Sequence, residues 1–360
     1  MTDSGKKNIV IFIGQLAIGG AEKQSLLLAK VLSDHYRVCY VVFKPFKVAD
    51  SYLHYLQESK LNYEILAGNF PTRIFHLIRL LRSFRTDLLF CYLPGDNIAG
   101  AICGRLAGVP NIIGGIRGSK IVRKKFYLLR FVQNHFQDYV IFNSTRTREI
   151  FCSRAYRRDR SLVIENAFEE KLDFIERPEQ EPLKILMVGR FVWPKDYLTG
   201  IRAVAGLSEL VAKKKIRLVV AGYGSMEHQV RNWISEYGLD EITDFHIQSE
   251  KIPELYRSSD IYLISSVNEG FSNSVLEAMA HGLPVVGTLT GDIEKQVLHG
   301  RSGYLAAVKD HKELTRGLSL LCERHSSRLS FGKEGYKRLY ACFGLEPFKE
   351  KYIKFIQSLE

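Results

Sequence analysis

Residues 268–287 read NEGFSNSVLEAMAHGLPVVG. The apolar run Ile261-Tyr262-Leu263-Ile264-Ser265-Ser266 just before them predicts a buried strand. A helix then opens with Ser272, Asn273 and Ser274 in its first turn and ends near His281-Gly282. Leu283-Pro284-Val285-Val286-Gly287 predicts the next strand. Strand, helix and strand in that order build a parallel sheet. Polar residues at a helix start leave outward-pointing backbone N–H groups, which suit a phosphate or a sugar hydroxyl. Glu269 lies in the loop before the helix and Glu277 inside it, eight positions apart. A carboxylate at the C-terminal end of a parallel strand faces the ligand crevice of an open α/β sheet. A structural alternative stands beside this one. Ser274-x-x-Glu277 fits a capping box, in which Glu277 only caps its own helix.

Working outward, the same alternation fills the chain. Asn8 to Gly14 predicts the first strand, followed by a loop with Gly19-Gly20 and a helix over 21–33. Two glycines at a helix start let a ligand approach the backbone. Val38 to Phe43, Asp87 to Leu93, Asn111 to Ile116, Tyr139 to Asn143 and Leu162 to Glu165 predict further strands. Helices are predicted over Ile74 to Phe84, Ile98 to Ala107 and Lys120 to Phe136, and from Thr145 onward. Arg177-Pro178-Glu179-Gln180-Glu181-Pro182 reads as a linker. Alternation then restarts, with strands at Lys184 to Gly189, Ile216 to Ala221 and Asp244 to Ile247. Helices are expected at Tyr197 to Ala212, Glu227 to Tyr237 and Ile252 to Ser258, and again beyond Leu305. The expected architecture is two Rossmann-like, doubly wound α/β domains facing across a cleft. The boundaries are 1–176 for an N-terminal acceptor-binding domain, 177–182 for the linker and 183–343 for a C-terminal nucleotide-sugar-binding domain. Residues 344–360 form a helix expected to pack back on the first domain.

Composition narrows the class. A chain of 360 residues suits two cores, and no apolar run approaches the roughly 20 residues that span a bilayer. The polar start Met1 to Asn8 does not resemble a signal peptide. The six cysteines, at 39, 91, 103, 152, 322 and 342, form no CxxC pair, which argues against a zinc site and fits a reducing cytoplasm. There is no GxGxxG followed by the acidic residue of a dinucleotide site, and no P-loop. Net charge is +12 and uneven. Residues 1–180 carry 27 Lys and Arg against 17 Asp and Glu (+10), while 181–360 carry 24 against 22 (+2).

Five features fall in order: Gly19-Gly20-Ala21-Glu22; Val188-Gly189-Arg190 with Lys195; Ala221-Gly222-Tyr223-Gly224; Tyr256-x-x-Ser259-Asp260-Ile261; and the Glu269/Glu277 block ending in Ala-x-Gly-x-Pro-Val-Val. In this the chain resembles the retaining glycosyltransferases of family 4, of GT-B architecture and of the kind found in bacterial polysaccharide biosynthesis. The resemblance implies transfer of a sugar from a nucleotide-sugar, a UDP-sugar by expectation, to a glycan acceptor on a lipid carrier. It implies that Arg190 and Lys195 hold the donor diphosphate and that Glu277 meets the ribose hydroxyls. Glu269 would contact sugar hydroxyls on the reacting face. Phe271, Ser272, Asn273 and Ser274 would offer donors to sugar and phosphate. Gly222 and Ile247 would line the nucleoside pocket, and Gly19 and Gly20 would meet sugar and diphosphate from the other domain. No cofactor and no metal is expected, and the sequence has no Asp-x-Asp diphosphate clamp. Many relatives carry a catalytic His after the fourth strand of the first domain. Here Arg117 occupies that position, either steadying sugar or phosphate or simply facing solvent.

Arg79 and Arg82 on one helix, with Arg123, Lys124 and Lys125 on another, suggest a basic acceptor face. Arg73 and Arg85 are expected on the same outer face as Arg79 and Arg82. Basic residues beside aromatics fit a helix lying on an anionic membrane, so the expected location is cytoplasmic and peripheral to the membrane. No nucleic-acid partner is expected, since no recognition motif is present. The alternatives are a GT-B epimerase or phosphorylase, and a non-catalytic sugar-nucleotide or membrane-binding protein.

Overall fold

A computed structural model describes residues 6–118, 123–249 and 251–359, apart from the side chains of Arg123 and Lys124. The chain divides into two compact units, 1–166 with 345–360, and 167–344. In the first unit the order is β1 (Asn8–Ile13), α1 (Gly20–Ser33), β2 (Arg37–Val42), α2 (Asp50–Glu58), β3 (Asn62–Ile65), α3 (Phe70–Ser83), β4 (Leu88–Cys91), α4 (Pro94–Ala107), β5 (Asn111–Ile116), α5 (Arg123–Phe136), β6 (Tyr139–Phe142), α6 (Thr145–Cys152) and β7 (Ser161–Val163). The strands form one sheet in the order β3-β2-β1-β4-β5-β6-β7, every pairing parallel. Its interior strand β1, NIVIFI, is buried almost throughout, as a parallel strand covered on both faces must be.

The second unit runs β8 (Leu183–Val188), α7 (Tyr197–Ala205), α8 (Ser208–Ala212), β9 (Ile216–Gly222), α9 (Glu227–Glu236), β10 (Thr243–Ile247), α10 (Ile252–Ser258), β11 (Ile261–Ile264), α11 (Asn273–Ala280), β12 (Val285–Thr288), α12 (Ile293–Gln296), β13 (Gly303–Ala306), α13 (His311–Glu323) and α14 (His325–Arg338). Its sheet order is β10-β9-β8-β11-β12-β13, again all parallel. Both units are Rossmann-like, and each sheet reverses its winding once, between β1 and β4 and between β8 and β11. A last helix, α15 (Leu345–Gln357), belongs to the first unit. There its Tyr352 packs on Phe90, and Lys351 pairs with Glu165 at 2.7 Å.

Several expectations need correction. The second unit begins at Ala167, ahead of the proline-bracketed linker. The reason is contact: Phe168 sits in the second core, and Arg177 donates to the carbonyls of His281 (2.6 Å) and Gly282 (3.3 Å). The helix expected over 197–212 is two helices broken at Gly206-Leu207. α2 and β3 were not foreseen; β3 is a four-residue edge strand that alternates exposed and half-buried positions. β13 was not assigned from sequence either, and helices follow it as expected. Helix α3 starts at Phe70, with Asn69 accepting from the Thr72 N–H and Pro71 in the first turn. Arg73 is therefore not on the outer face. It is buried, its Nη1 donates to the Phe43 carbonyl at 3.1 Å, and its guanidinium lies 4.8 Å over the Phe43 ring. The start of the helix expected from Lys120 lies outside the described residues.

Candidate functional site

In the second unit the predicted residues gather at one sheet edge, where the C-terminal ends of β8, β9, β10 and β11 meet their loops. After β8 come Gly189 and Arg190, then a single 3-10 turn at Trp193–Lys195 that leads into α7. After β11 comes the loop with Ser265, Ser266 and Glu269. The winding reverses between these two strands, so their loops diverge and a crevice forms between them. Lys195 Nζ donates to Glu269 Oε1 at 2.6 Å, with the two side chains only 21% and 12% exposed. Ser266 Oγ donates to the same carboxylate oxygen at 2.7 Å. The Ser266 carbonyl in turn accepts from Thr288 Oγ1 at 2.6 Å, which ties the loop to β12. Arg190 is exposed at the rim.

Below the pair lies Tyr262 of β11, fully buried, whose hydroxyl donates to the Val188 carbonyl of β8 at 3.2 Å. Burial raises its ionisation well above the ordinary range, and the carboxylates of Glu277 and Glu269 push the same way. Tyr256 is raised by burial first and then by Glu277, and its hydroxyl donates to the Ser274 carbonyl at 3.2 Å. Both phenols therefore stay protonated as donors beneath the glutamates. Helix α11 has Ser272 as its N-cap, so Ser274 sits inside the helix. The capping-box reading of Ser274 and Glu277 is thereby overturned. The cap residue is clamped from outside instead: Gln296 accepts from the Ser272 N–H at 3.2 Å and donates to its carbonyl at 2.8 Å. Phe271 and Ser272 are buried, while Asn273 and Ser274 are half-buried.

The loop after β9 wraps the same edge. The Phe191 N–H donates to the Tyr223 carbonyl at 2.7 Å and its carbonyl accepts from Met226 at 2.9 Å. Gly224, at φ 150°, lies against the Phe191 backbone, where a Cβ would meet that carbonyl oxygen at 2.4 Å. Gly222 and Ile247 are paired in register at the ends of β9 and β10.

The first unit has its own group at the β1/β4 edge. Gly19 is the extended N-cap of α1, with no side-chain cap, and Gly20 is exposed at its first position. Arg117, at the end of β5, does not face solvent freely. Its guanidinium lies 4.2 Å over the Tyr92 ring, and Nη2 donates to Tyr352 of α15 at 3.4 Å. Among the described residues, its Nε and Nη1 are buried without hydrogen-bond partners. Near Gly14 sits Asp96, which accepts from the Leu93 N–H at 3.0 Å and from the Gly14 N–H. Burial lifts its carboxyl to about 7 in spite of those bonds.

Residues 168–338 match the family of glycosyl transferases, group 1. Two curated relatives match part of the chain. The mannosylfructose-phosphate synthase of Agrobacterium fabrum is 28% identical over 174 residues, 45% of this chain and 38% of that protein. The putative colanic acid biosynthesis glycosyltransferase WcaL of Escherichia coli is 28% identical over 187 residues, 49% of this chain and 46% of that one. The chain thus spans less than half the length of either relative. Anabaena Alr3699/HepE, solved in complex with UDP, superposes with a TM-score of 0.82 at 18% identity, over 98% of this chain and all of the other. That likeness establishes the GT-B fold. The match and the relatives together support a group 1 glycosyltransferase.

The sequence missed Ser266, Tyr262, Tyr256, Gln296 and Asp96 as site builders. Ser266 could have been found, being three residues from Glu269 in the same loop. Gln296 lies 24 residues from Ser272, and no local pattern joins them.

Proposed function

We propose that the chain is a retaining, metal-independent family 4 hexosyltransferase. It moves a sugar from a UDP-sugar to a lipid-linked glycan acceptor, in the making of a cell-surface polysaccharide at the cytoplasmic membrane face. The observation that carries the reading is the Lys195–Glu269 pair at the β8/β11 reversal, with Arg190 at its rim and Glu277 one helical turn beyond the α11 cap. As the bond between the sugar carbon and the phosphate oxygen breaks, negative charge builds on the leaving diphosphate. Arg190 and Lys195 stabilise that charge, and Lys195 exchanges its glutamate partner for phosphate oxygen. Glu269, so released, accepts hydrogen bonds from sugar hydroxyls. The acceptor oxygen bonds to the sugar carbon on the face the phosphate leaves, and its proton passes to the departing phosphate. Glu277 holds the ribose hydroxyls, and Gly222 and Ile247 flank the nucleoside. In the first unit, Gly19, Gly20 and Arg117 serve sugar and phosphate recognition.

The UDP bound to the Anabaena protein supports the choice of nucleotide, and the name of the E. coli relative supports the polysaccharide role. The lipid surface is supported by the helices α3, α4 and α5, neighbours on one side of the first sheet. They expose Phe75 (63%), Leu106 (58%), Tyr127, Leu128 and Phe131, beside exposed Arg79, Arg82 and Lys125. Apolar side chains among cations fit an anionic bilayer surface. Among the described residues no helix is long and apolar enough to cross a membrane. Phe75, Leu128 and Phe131 changed together to Ser should release the protein from anionic vesicles. Unchanged sedimentation with the vesicles would count against the lipid surface.

The test is nucleotide release from a panel of UDP-, GDP- and ADP-sugars, with and without EDTA, alongside Lys195→Ala. One donor should be turned over, insensitive to EDTA and lost in the variant. Failure of every donor to bind would refute the reading.

A further inference from the structure

Both tryptophans of the chain line one cavity of about 350 Å³ within the second unit. It lies between α7 and α9, beside the 192–196 loop and Val267, with Lys309 at its margin. Lys195 and Glu269 are not among its lining residues. Its walls are mainly apolar, and Trp193 is 55% exposed. The polar groups are few and placed. Thr199 Oγ1 donates to Asp196 Oδ2 at 2.7 Å, and Arg202 Nε donates to the Tyr237 hydroxyl at 2.6 Å. The other cation is the exposed Lys309.

Two lining residues are also held in left-handed backbone conformations without being glycine: Asp196 at φ 44° and Lys309 at φ 69°. Such conformations persist where the surroundings over-determine them, and they cluster at ligand clamps. Asp196 is held: Ser265 Oγ donates to its carbonyl at 2.8 Å, and the Val267 N–H donates to the Pro194 carbonyl at 2.9 Å.

We propose that this cavity is a second small-molecule site, and that its ligand is a hexopyranose phosphate. The indole faces suit the C–H face of a sugar ring. Thr199 and Asp196 meet ring hydroxyls, and Arg202 and Lys309 meet the phosphate. The volume is at the low end of ligand pockets, roughly 300–1,000 Å³, so one ring fits and a nucleotide-sugar does not. The site does not depend on the donor reading above, since it uses neither Lys195 nor Glu269.

All tryptophan emission arises from this cavity, so intrinsic fluorescence reports on it directly. Glucose 6-phosphate is titrated into the wild-type protein, with and without saturating UDP, and into Lys309→Glu, Lys309→Ala and Lys195→Ala. The expected result is a saturable change that UDP leaves in place and Lys195→Ala retains. Lys309→Glu should weaken it by about tenfold or more, with Lys309→Ala intermediate. No saturable change up to millimolar probe would overturn the proposal. So would a change that UDP abolishes, because the probe would then occupy the Lys195 site. An equal response to inorganic phosphate would overturn the assignment of a sugar ring.

Discussion

The β1/β4 edge of the first unit and the β8/β11 edge of the second have the same topology and opposite chemistry. Each is the place where a parallel sheet reverses its winding. At β8/β11 a lysine and a glutamate meet at 2.6 Å, each keeping some exposure. At β1/β4 the carboxyl of Asp96 is almost fully buried, with two backbone N–H groups for partners, and its pKa rises to about 7. Topology supplies a crevice in both, and burial decides what is done with it. A partly open ion pair can exchange one partner for a ligand. A sealed carboxyl between backbone amides holds a loop in shape.

The largest expected effect breaks the β8/β11 side. Lys195→Ala should lower turnover by orders of magnitude, about 3 kcal/mol or more of transition-state stabilisation, with little change in melting temperature. Near-normal turnover with the best donor would sink the assignment. On the β1/β4 side the balance should invert. Asp96→Ala leaves the Gly14 and Leu93 amides without their acceptor and should cost about 2–3 kcal/mol in urea unfolding.

The same residue gives a pH test with a definite sign. The folded pKa lies above the ordinary 3.8, so the folded state holds the proton more tightly than the unfolded chain. That contribution is complete below about 4 and is lost as pH rises through about 7. The stability deficit of Asp96→Asn should therefore be larger at pH 5 than at pH 8. An equal deficit at both would show that Asp96 ionises normally.

Arg117→Met sharpens the contrast from inside the first unit. The guanidinium has two buried nitrogens without partners among the described residues, so an apolar replacement should leave the melting temperature unchanged or raise it. Turnover should fall by about tenfold if Arg117 serves sugar or phosphate. A fall in melting temperature with full turnover would make it a structural tie between Tyr92 and Tyr352. The smallest effect is expected at Gln296→Ala, about 1 kcal/mol of stability with a modest rise in KM for the donor, since only the clamp on Ser272 is lost.

Much of this was legible beforehand because it is local. The strand of Asn111 to Ile116, the helix Ile252 to Ser258 and the loop positions of Arg190, Lys195 and Glu269 follow from runs of residues and their punctuation. Helix α3 starts one turn before the expected Ile74, and Arg73, four and eight residues ahead of Leu77 and Leu81, falls on its buried face. The split of 197–212 was missed because Gly206 in a helical pattern is only a weak breaker.

Two parallel α/β units and the candidate residues of each were thus determined by sequence alone, since hydrophobic period and glycine placement act over a few neighbours. Only the tertiary structure decided that Lys195 and Glu269, 74 positions apart, form one ion pair. It alone placed Ser274 inside α11 and gave the capping of Ser272 to Gln296. It also set Arg117 against Tyr92 and Tyr352. Those outcomes rest on burial and on partners far apart in the chain. Both are properties of packing, and a local pattern of residues does not carry them.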